Sequence, residues 1–557
     1  MTDQRPWLKN YPTGVPANIN ADIYPSLVDM IEDCLEKYKA NVGYYCMGSK
    51  LTFGEVDKLS TKFGAYLHSR GLEPGDKIAL MMPNLLQYPV VLFGALKAGL
   101  IIVNTNPLYT PREMKHQFND SGAKAIVIAE NFAANLEKIL ADTPIKTIIL
   151  TSIGEMLGSL KGGLTNFVVR KVKRMVPKYE LPNAVKFKHA IKEGSRFKLP
   201  EISKNPEDVI ILQYTGGTTG VSKGAMLTNK NLVSNLEQVK SCVQPFMTDG
   251  QEIALCALPL YHIFAFTVNC LGMLALGNAN VLITNPRDIN SLIKAFQDHP
   301  MSLVTGVNTL FNALLHNEDF VKLDFSNLKV TFGGGTAVKP AVAEEWKKVT
   351  GCALSEGYGL TESSPVVTIN PLDGSGRLGF IGMPIPSTDV RIVNEQKEPL
   401  PIGQVGEIQV KGPQVMKGYY NRPEATSETI SPDGWLSTGD IAVMDEDGYV
   451  KIVDRKKDMI LVSGFNVFPN EIEAVLATHP GILEAAVIGV KSEKSGEVPK
   501  AFVVKKDNSL GEEDVIAYCR EQLTAYKVPK QVAFVEELPK TNVGKVLRRK
   551  LKEAEEA

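Results

Sequence analysis

Between Tyr214 and Met226 the chain reads Tyr214-Thr215-Gly216-Gly217-Thr218-Thr219-Gly220-Val221-Ser222-Lys223-Gly224-Ala225-Met226, with four glycines, four Ser or Thr hydroxyls and one lysine. Glycines let the backbone come close to a ligand and turn its N–H groups inward. The hydroxyls and the ammonium add donors for phosphate oxygens. The chemistry suited to this stretch is the binding of a polyphosphate. A P-loop would need Gly-Lys-Ser/Thr leading straight into a helix. Here Ser222 separates Lys223 from Val221 and Gly224 follows, so P-loop kinases and GTPases are disfavoured. A Ser/Thr/Gly-rich surface loop has the same composition, and composition alone does not separate the two readings.

Further along, Gly333-Gly334-Gly335-Thr336-Ala337 allows a flat ligand to approach the backbone. Glu356-Gly357-Tyr358-Gly359-Leu360-Thr361-Glu362-Ser363 offers an aromatic face for a purine and a hard oxygen ligand for Mg²⁺ at Glu362. Asp440 could accept both hydroxyls of a ribose, and Arg455 could donate to the same sugar or its phosphate. His262 lies in an apolar stretch, Leu258 to Phe266, where a satisfied core histidine is the commoner outcome. Lys545 lies in a lysine-rich segment from Leu538 to Arg549, where a solvent-facing side chain is the ordinary expectation.

The elements that must position these groups follow from periodicity. Apolar Val209-Ile210-Ile211-Leu212 predicts a buried strand before the Gly/Thr stretch, and Thr228 or Asn229 could cap a helix after it. Between residues 50 and 130 the pattern alternates. Helices are expected from Phe53 to about His68, Tyr88 to Ala98 and Pro111 to Ser121. Strands are expected at Lys77–Met82, Ile101–Val103 and Ala125–Ile128. Such βαβ alternation predicts a doubly wound parallel sheet in an α/β protein. Lys329–Phe332 reads as another strand, and Gly306–Leu315 carries an apolar helical stripe. From Gly379 to Val410 short strands and Gly/Pro turns predict a small β-barrel-like subdomain. The charged run Asp454 to Asp458 marks a boundary, giving expected domains at 1–456 and 457–557. The second is a compact α+β unit with a helix to about His479, strands at Ala486–Ile488 and Ala501–Val504, a helix at Glu512–Leu523 and a strand at Gln531–Val535.

At 557 residues the chain is too long for one ordinary core. A formal net charge of −1 gives no reason to expect nucleic acid. Seven scattered cysteines suggest neither a zinc site nor a disulfide framework and fit a reducing cytoplasm. The stretch from Met1 to Trp7 has no apolar core, so no signal peptide is expected. From Ile253 to Pro286 there is no Asp, Glu, Lys or Arg. Pro259, His262, Asn269, Gly272, Gly277, Asn278 and Asn280 break this run into a strand, a turn, a buried helix (about Phe264 to Leu276) and a strand at Val281–Ile283, rather than a membrane span. Asn166 to Val176 mixes apolar residues with cations, as in a segment lying on an anionic membrane surface; a solvated helix face is the commoner outcome.

These motifs, in this order, resemble the adenylate-forming superfamily of acyl-CoA synthetases, peptide-synthetase adenylation domains and luciferases. The likeness spans essentially the whole chain. It is nearest to bacterial long-chain fatty acid–CoA ligases, from Met81-Met82-Pro83-Asn84 through Asn104-Thr105-Asn106-Pro107 to the terminal Pro539-Lys540-Thr541-Asn542-Val543-Gly544-Lys545. The stretches Asp433 to Ile441 and Gly448 to Asp458 resemble the signature of the fatty acyl members.

The resemblance implies a mobile C-terminal domain and a two-step reaction. A long-chain fatty carboxylate attacks the α-phosphate of ATP and releases pyrophosphate; the thiol of CoA then attacks the acyl-adenylate and expels AMP. No side-chain nucleophile is required. It assigns ATP binding to Tyr214 through Ala225, Gly333, Gly334, Gly335, Glu356, Gly357, Tyr358, Gly359, Asp440 and Arg455. It assigns Mg²⁺ to Thr215 and Glu362, catalysis to Lys545, Glu362, Thr361 and His262, and the acyl wall to Tyr261, Val307 and Leu310. Lys457 is implied as a hinge that withdraws Lys545 and brings Gly464 to the CoA channel. Fatty acid, ATP and CoA are the implied partners, with a homodimer and peripheral contact at the cytoplasmic face of the inner membrane also expected. A ligase for aryl or medium-chain acids, a luciferase-like enzyme and a non-catalytic nucleotide- or lipid-binding protein remain open. No carrier-domain serine follows Arg549, so a peptide-synthetase module is not expected.

Overall fold

The computed structural model describes residues 5–215, 222–463, 465–492, 495–541 and 544–556. The chain divides into two compact units, one of Tyr11–Thr388 with Lys411–Pro432, the other of Met1–Asn10, Asp389–Val410 and Asp433–Ala557.

The larger unit holds two sheets. The first has eight strands in the order Gly418–Tyr419, Lys223–Thr228, Val209–Thr215, Ile101–Asn104, Lys77–Met81, Ala125–Ala129, Thr147–Thr151 and Val185–Lys186. From Val209–Thr215 to Val185–Lys186 every pairing is parallel. Parallel strands are covered on both faces, so they read as unbroken apolar runs. Ala125-Ile126-Val127-Ile128-Ala129 is one, buried at every position. The expected helices are present at Phe53–Ser69, Gln87–Lys97 and Pro111–Ser121. The first and third begin with capping boxes, in which Thr52 pairs with Glu55 and Thr110 with Glu113, satisfying otherwise orphaned N–H groups.

The second sheet has nine strands, with a parallel centre running from Val42–Cys46 through Ala279–Leu282, Ile253–Cys256, Leu303–Gly306 and Val330–Gly333 to Leu354–Gly359. The uncharged run from Ile253 to Pro286 supplies two of these strands and the helical segment between them. That segment is helical from Ile263 to Ala275 but opens into a wider i→i+5 turn over Phe266–Gly272. Among the described residues no helix is long and apolar enough to cross a membrane.

The weakly patterned region near 152–195 contains a helix at Ser159–Phe167 that continues through a wider turn at Val168–Val172. Gly162, Asn166 and Val169 face inward. Asn166 accepts from Gly154 N at 2.8 Å and donates to Ser152 Oγ at 3.0 Å, and Val169 is buried. Leu160, Leu164 and Phe167, on the opposite side by helical spacing, are exposed.

The smaller unit contains a four-stranded sheet in the order Asp389–Val393, Gly406–Lys411, Leu436–Met444 and Val450–Arg455; only its first two strands fall in the Gly379–Val410 region expected to be barrel-like, and the last three pair antiparallel. It also contains a five-stranded sheet centred on the long hairpin Ile482–Ser492 and Gly496–Lys505, with helices at Pro469–Leu476, Glu512–Gln522 and Arg548–Glu556. Lys457 lies in the turn between Val450–Arg455 and Ile460–Val462. The first residues of the chain also belong here: Arg5 makes two hydrogen bonds to Asp389, at 2.7 and 3.0 Å, and Trp7 packs against Gly448.

Candidate active site

The Gly/Thr stretch leaves the first sheet from the strand Val209–Thr215 and re-enters it in the strand Lys223–Thr228. Thr215 and Lys223 are direct partners in that antiparallel pair. Gly216, Gly217, Thr218, Thr219, Gly220 and Val221 lie outside the described residues. The helix Asn229–Val243 starts only after the second strand, and Thr228 caps it, accepting from Asn231 N. The strands on either side of it pair antiparallel and the helix follows only after the second of them, whereas a P-loop leads straight into a helix. Tyr214 is turned inward: its hydroxyl donates to Asp120 at 2.7 Å, and its ring lies where a Cβ on Gly224 would come within 3.1 Å. Arg422 donates to the other oxygen of Asp120 at 2.6 Å.

The second sheet presents the other candidates at its strand ends. Gly333 ends one strand and is the register partner of Glu356 on the next. Gly334 N donates to Gly306 O at 3.2 Å, and Gly335 has φ +75°, a conformation that favours glycine. The buried Glu356 carboxylate accepts from Val338 N at 3.1 Å and Gly379 N at 3.2 Å, tying two loops together. Burial pushes this carboxyl above its usual range, while the two N–H groups oppose the shift. Gly359 is required sterically, because a Cβ there would lie 2.0 Å from Pro365 O.

Thr361 and Glu362 form the short helical turn Thr361–Ser363 just past that strand. Glu362 is held twice: its carbonyl accepts from Met416 N at 2.8 Å and its carboxylate accepts from the Tyr419 hydroxyl at 2.7 Å. The Tyr419 ring in turn lies 5.1 Å from Lys223 Nζ, centroid to nitrogen. Lys223 and Glu362, far apart in sequence, thus meet around one tyrosine.

The segment Leu258–His262 is fixed by side chains of the first sheet and its helices. Asn84 donates to Leu258 O at 2.9 Å, Tyr88 to Leu260 O at 2.9 Å and Gln213 to Tyr261 O at 2.9 Å. His262 caps the helical segment that follows, Nδ1 accepting from Phe264 N at 3.4 Å. The Phe264 ring lies against Gly334, where a Cβ would meet it at 3.1 Å. Burial pushes the Tyr261 phenol up to about 12. Val307 and Leu310 are buried, and Val307 borders Gly335. Tyr261, His262, Val307 and the three glycines therefore share one neighbourhood. Tyr358 follows Gly357 on the strand Leu354–Gly359 and pairs with Thr368.

The smaller unit assembles its own set. Asp440 and Arg455 are register partners on adjacent strands, and Arg455 Nε sits 3.1 Å from Asp440 Oδ1. Lys545 lies in a tight turn in which Thr541 N donates to Lys545 O at 2.7 Å and Lys545 N donates to Thr541 Oγ1 at 3.1 Å. Burial and then the Arg455 charge push its ammonium down to about 8, with Asp440 opposing. The same two causes bring Lys457 down to about 8. Arg548, which sequence reasoning missed, anchors the following helix. It donates to Asp458 at 3.1 Å, to Asn470 at 2.6 Å and to both carboxylate oxygens of Glu473 at 2.8 Å. Gly464 lies outside the described residues.

Tyr419 was missed as well. Its only sequence signal is an aromatic pair, Tyr419-Tyr420, in an otherwise polar turn, and nothing local links it to Glu362.

The AMP-binding enzyme family matches residues 31–420, and the AMP-binding enzyme C-terminal domain matches residues 471–545. The chain belongs to the AMP-binding enzyme family. A long-chain-fatty-acid–CoA ligase of Escherichia coli O6:H1 is 56% identical over 548 residues, covering 98% of this chain and 98% of that protein. The ligase of the same description from Bacillus subtilis is 37% identical, covering 100% of this chain and 99% of that one. Among solved structures, ATP-bound MatB from Rhodopseudomonas palustris superposes with a TM-score of 0.80 at 27% identity, over 95% of this chain and 98% of that one. The anthranilate CoA ligase AuaEII with anthranoyl-AMP has the same fold, with a TM-score of 0.84 at 24% identity over 97% and 99% of the two chains. As a member of the AMP-binding enzymes, the chain carries the two-unit architecture of that fold.

Proposed function

We propose that this chain is an AMP-forming ligase that joins long-chain fatty acids to CoA. The observation that carries this reading is the 56% identity to a long-chain-fatty-acid–CoA ligase over nearly the full length of both chains. In the first step a carboxylate oxygen attacks the α-phosphorus of ATP and the bond to pyrophosphate breaks. In the second, the CoA thiol loses its proton, its sulfur bonds to the acyl carbon, and AMP leaves. Positioning and charge neutralisation carry most of the first step.

In the larger unit, Lys223 and the loop before it bind the phosphates, Tyr261, Val307 and Leu310 border the acyl group, and His262 orients the carboxylate. In the smaller unit, Asp440 and Arg455 bind the ribose, and Lys545 supplies positive charge to the reacting oxygens. Lys457 is the hinge between the two steps, and Gly464 borders the pantetheine path. The donor set fits Mg²⁺: Glu362 offers a hard carboxylate oxygen and Thr215 a hydroxyl. No group of three or more His, Cys, Asp or Glu suited to a metal occurs among the described residues. One carboxylate with phosphate oxygens completing the shell is how Mg²⁺ is commonly held beside a nucleotide. When bound, the cation neutralises phosphate charge.

The exposed residues Leu160, Leu164 and Phe167, with Lys161, Lys171, Lys173 and Arg174 nearby, also support peripheral contact with an anionic bilayer at the cytoplasmic face. The test of the main reading is AMP release from purified protein with ATP, Mg²⁺, CoA and acids from C6 to C18 plus coumarate. A maximum at long chains is expected. Turnover confined to aromatic or short acids would overturn the substrate assignment, and no turnover would overturn the enzyme.

A further inference from the structure

The pair Lys223 and Glu362 is joined by a residue that the reading above does not use. Gly418–Tyr419 forms a short strand antiparallel to Lys223–Thr228, with Tyr419 opposite Ala225 and Gly418 opposite Met226. Lys417 N donates to Met226 O at 3.0 Å and Tyr420 N to Gly224 O at 2.8 Å, so main-chain bonds flank Tyr419 on both sides. Its own N–H donates to Thr426 Oγ1 at 2.9 Å. With the backbone fixed, the Tyr419 hydroxyl donates to one oxygen of Glu362 at 2.7 Å, the Thr429 side chain hydrogen-bonds to the same phenol, and the ring faces the Lys223 ammonium at 5.1 Å.

We propose that Tyr419 is a positioning residue that holds the Glu362 carboxylate in the orientation needed for the cation and couples it to Lys223. A lone carboxylate on a short turn is free to rotate. One pinned at Oε1 presents its remaining lone pairs in a fixed direction. Mg²⁺ demands near-ideal octahedral geometry, so the direction of the carboxylate matters more than it would for a softer, larger ion. Hydrogen-bond partners of a metal-binding carboxylate act in this way, and their loss typically lowers metal affinity about 10- to 100-fold. The ring gives the Lys223 ammonium a face to rest on, a cation–π contact. Each charge thus has its own contact on the same side chain, and both remain directed toward a polyphosphate. This inference rests on Glu362 being the cation ligand, as proposed above.

The test uses the full-length protein with Mn²⁺ as the probe, bound in the presence of a non-hydrolysable ATP analogue and followed by the electron paramagnetic resonance of free Mn²⁺. Tyr419→Phe removes only the hydroxyl. It is expected to weaken Mn²⁺ binding about 10- to 100-fold, with an unchanged melting temperature, and to recover the wild-type rate of ATP–pyrophosphate exchange at saturating Mg²⁺. Glu362→Gln is expected to weaken Mn²⁺ binding at least as much. Adding Tyr419→Phe to Glu362→Gln should then cost nothing more, because both changes act through one carboxylate. Wild-type Mn²⁺ affinity in Tyr419→Phe while Glu362→Gln binds weakly would overturn the positioning role alone. So would additive losses in the double variant. Wild-type affinity in Glu362→Gln would overturn the metal assignment of Glu362 and this inference with it.

Discussion

Glu362 and Lys545 are held in place by opposite means. Glu362 follows the strand Leu354–Gly359, at which the parallel part of the second sheet ends, its main chain bonded to Met416 and its carboxylate to an uncharged phenol. Lys545 sits in a short turn whose continuation is anchored by Arg548, a guanidinium shared among Asp458, Asn470 and Glu473. The first arrangement depends on a main-chain bond and on one uncharged donor, the Tyr419 hydroxyl, held against the carboxylate. The second depends on a mostly buried ion cluster, where removing one partner leaves charges unpaired. The rigid site suits a group that must present one geometry. The charged one suits a group whose task is set by its protonation.

The sharpest way to break this contrast is Arg548→Met. It strands Glu473 and Asp458, and unfolding of the smaller unit in urea should become easier by about 3–5 kcal/mol. Mn²⁺ affinity with the ATP analogue should stay at the wild-type value. A parallel loss of both would erase the distinction drawn here.

Next in size, Lys545→Ala should slow adenylate formation about 100- to 1,000-fold, as loss of one positioned charge does. Thioester formation from supplied acyl-adenylate should persist. Measuring the two half-reactions separately decides the matter, and equal loss in both would refute the division.

The pH profile gives a smaller effect. With its ammonium at about 8, Lys545 is charged below that pH and neutral above it. The adenylation rate should therefore hold below pH 8 and fall about tenfold per unit above it. Arg stays protonated throughout, so Lys545→Arg should flatten that fall whatever its absolute rate. A fall that survives this substitution would reassign the titration to Lys457, which is brought down to the same value.

Smallest is Thr228→Ala, which removes a helix cap in the rigid unit. It should cost about 1 kcal/mol in thermal stability and leave both half-reactions intact.

How much of this was legible in the sequence depended on how local the cause was. Parallel strands such as Lys77–Met81, Ile101–Asn104 and Ala125–Ala129 were readable because each is a mostly apolar run, whereas Leu354–Gly359, which reads Leu-Ser-Glu-Gly-Tyr-Gly, was not. The helix cap, which the structure places at Thr228, was readable to within one residue, as Thr228 or Asn229, because a capping residue announces itself within one turn. The strand Lys223–Thr228 was not, because Lys-Gly-Ala-Met has weak β propensity and forms a strand only by pairing with Val209–Thr215. Tyr419 meets Glu362 across 57 positions and Arg548 meets Glu473 across 75. No spacing rule reaches that far. The sequence also marked the cations near residue 170 without showing that Arg170 is paired with Glu130 at 2.8 Å, nor that Leu160 and Leu164 extend the exposed apolar face toward the start of the helix.

The anchoring of Arg5 and Trp7 onto the smaller unit sets an order of events during synthesis. Ribosomes add about 5–20 residues per second. Asp389, the partner of Arg5, is therefore made about 20–75 s after it, and Gly448, the neighbour of Trp7, later still. Throughout that interval most of the larger unit is being made while the turn Pro6–Asn10 lacks these partners. A segment made early thus pairs only with residues made late.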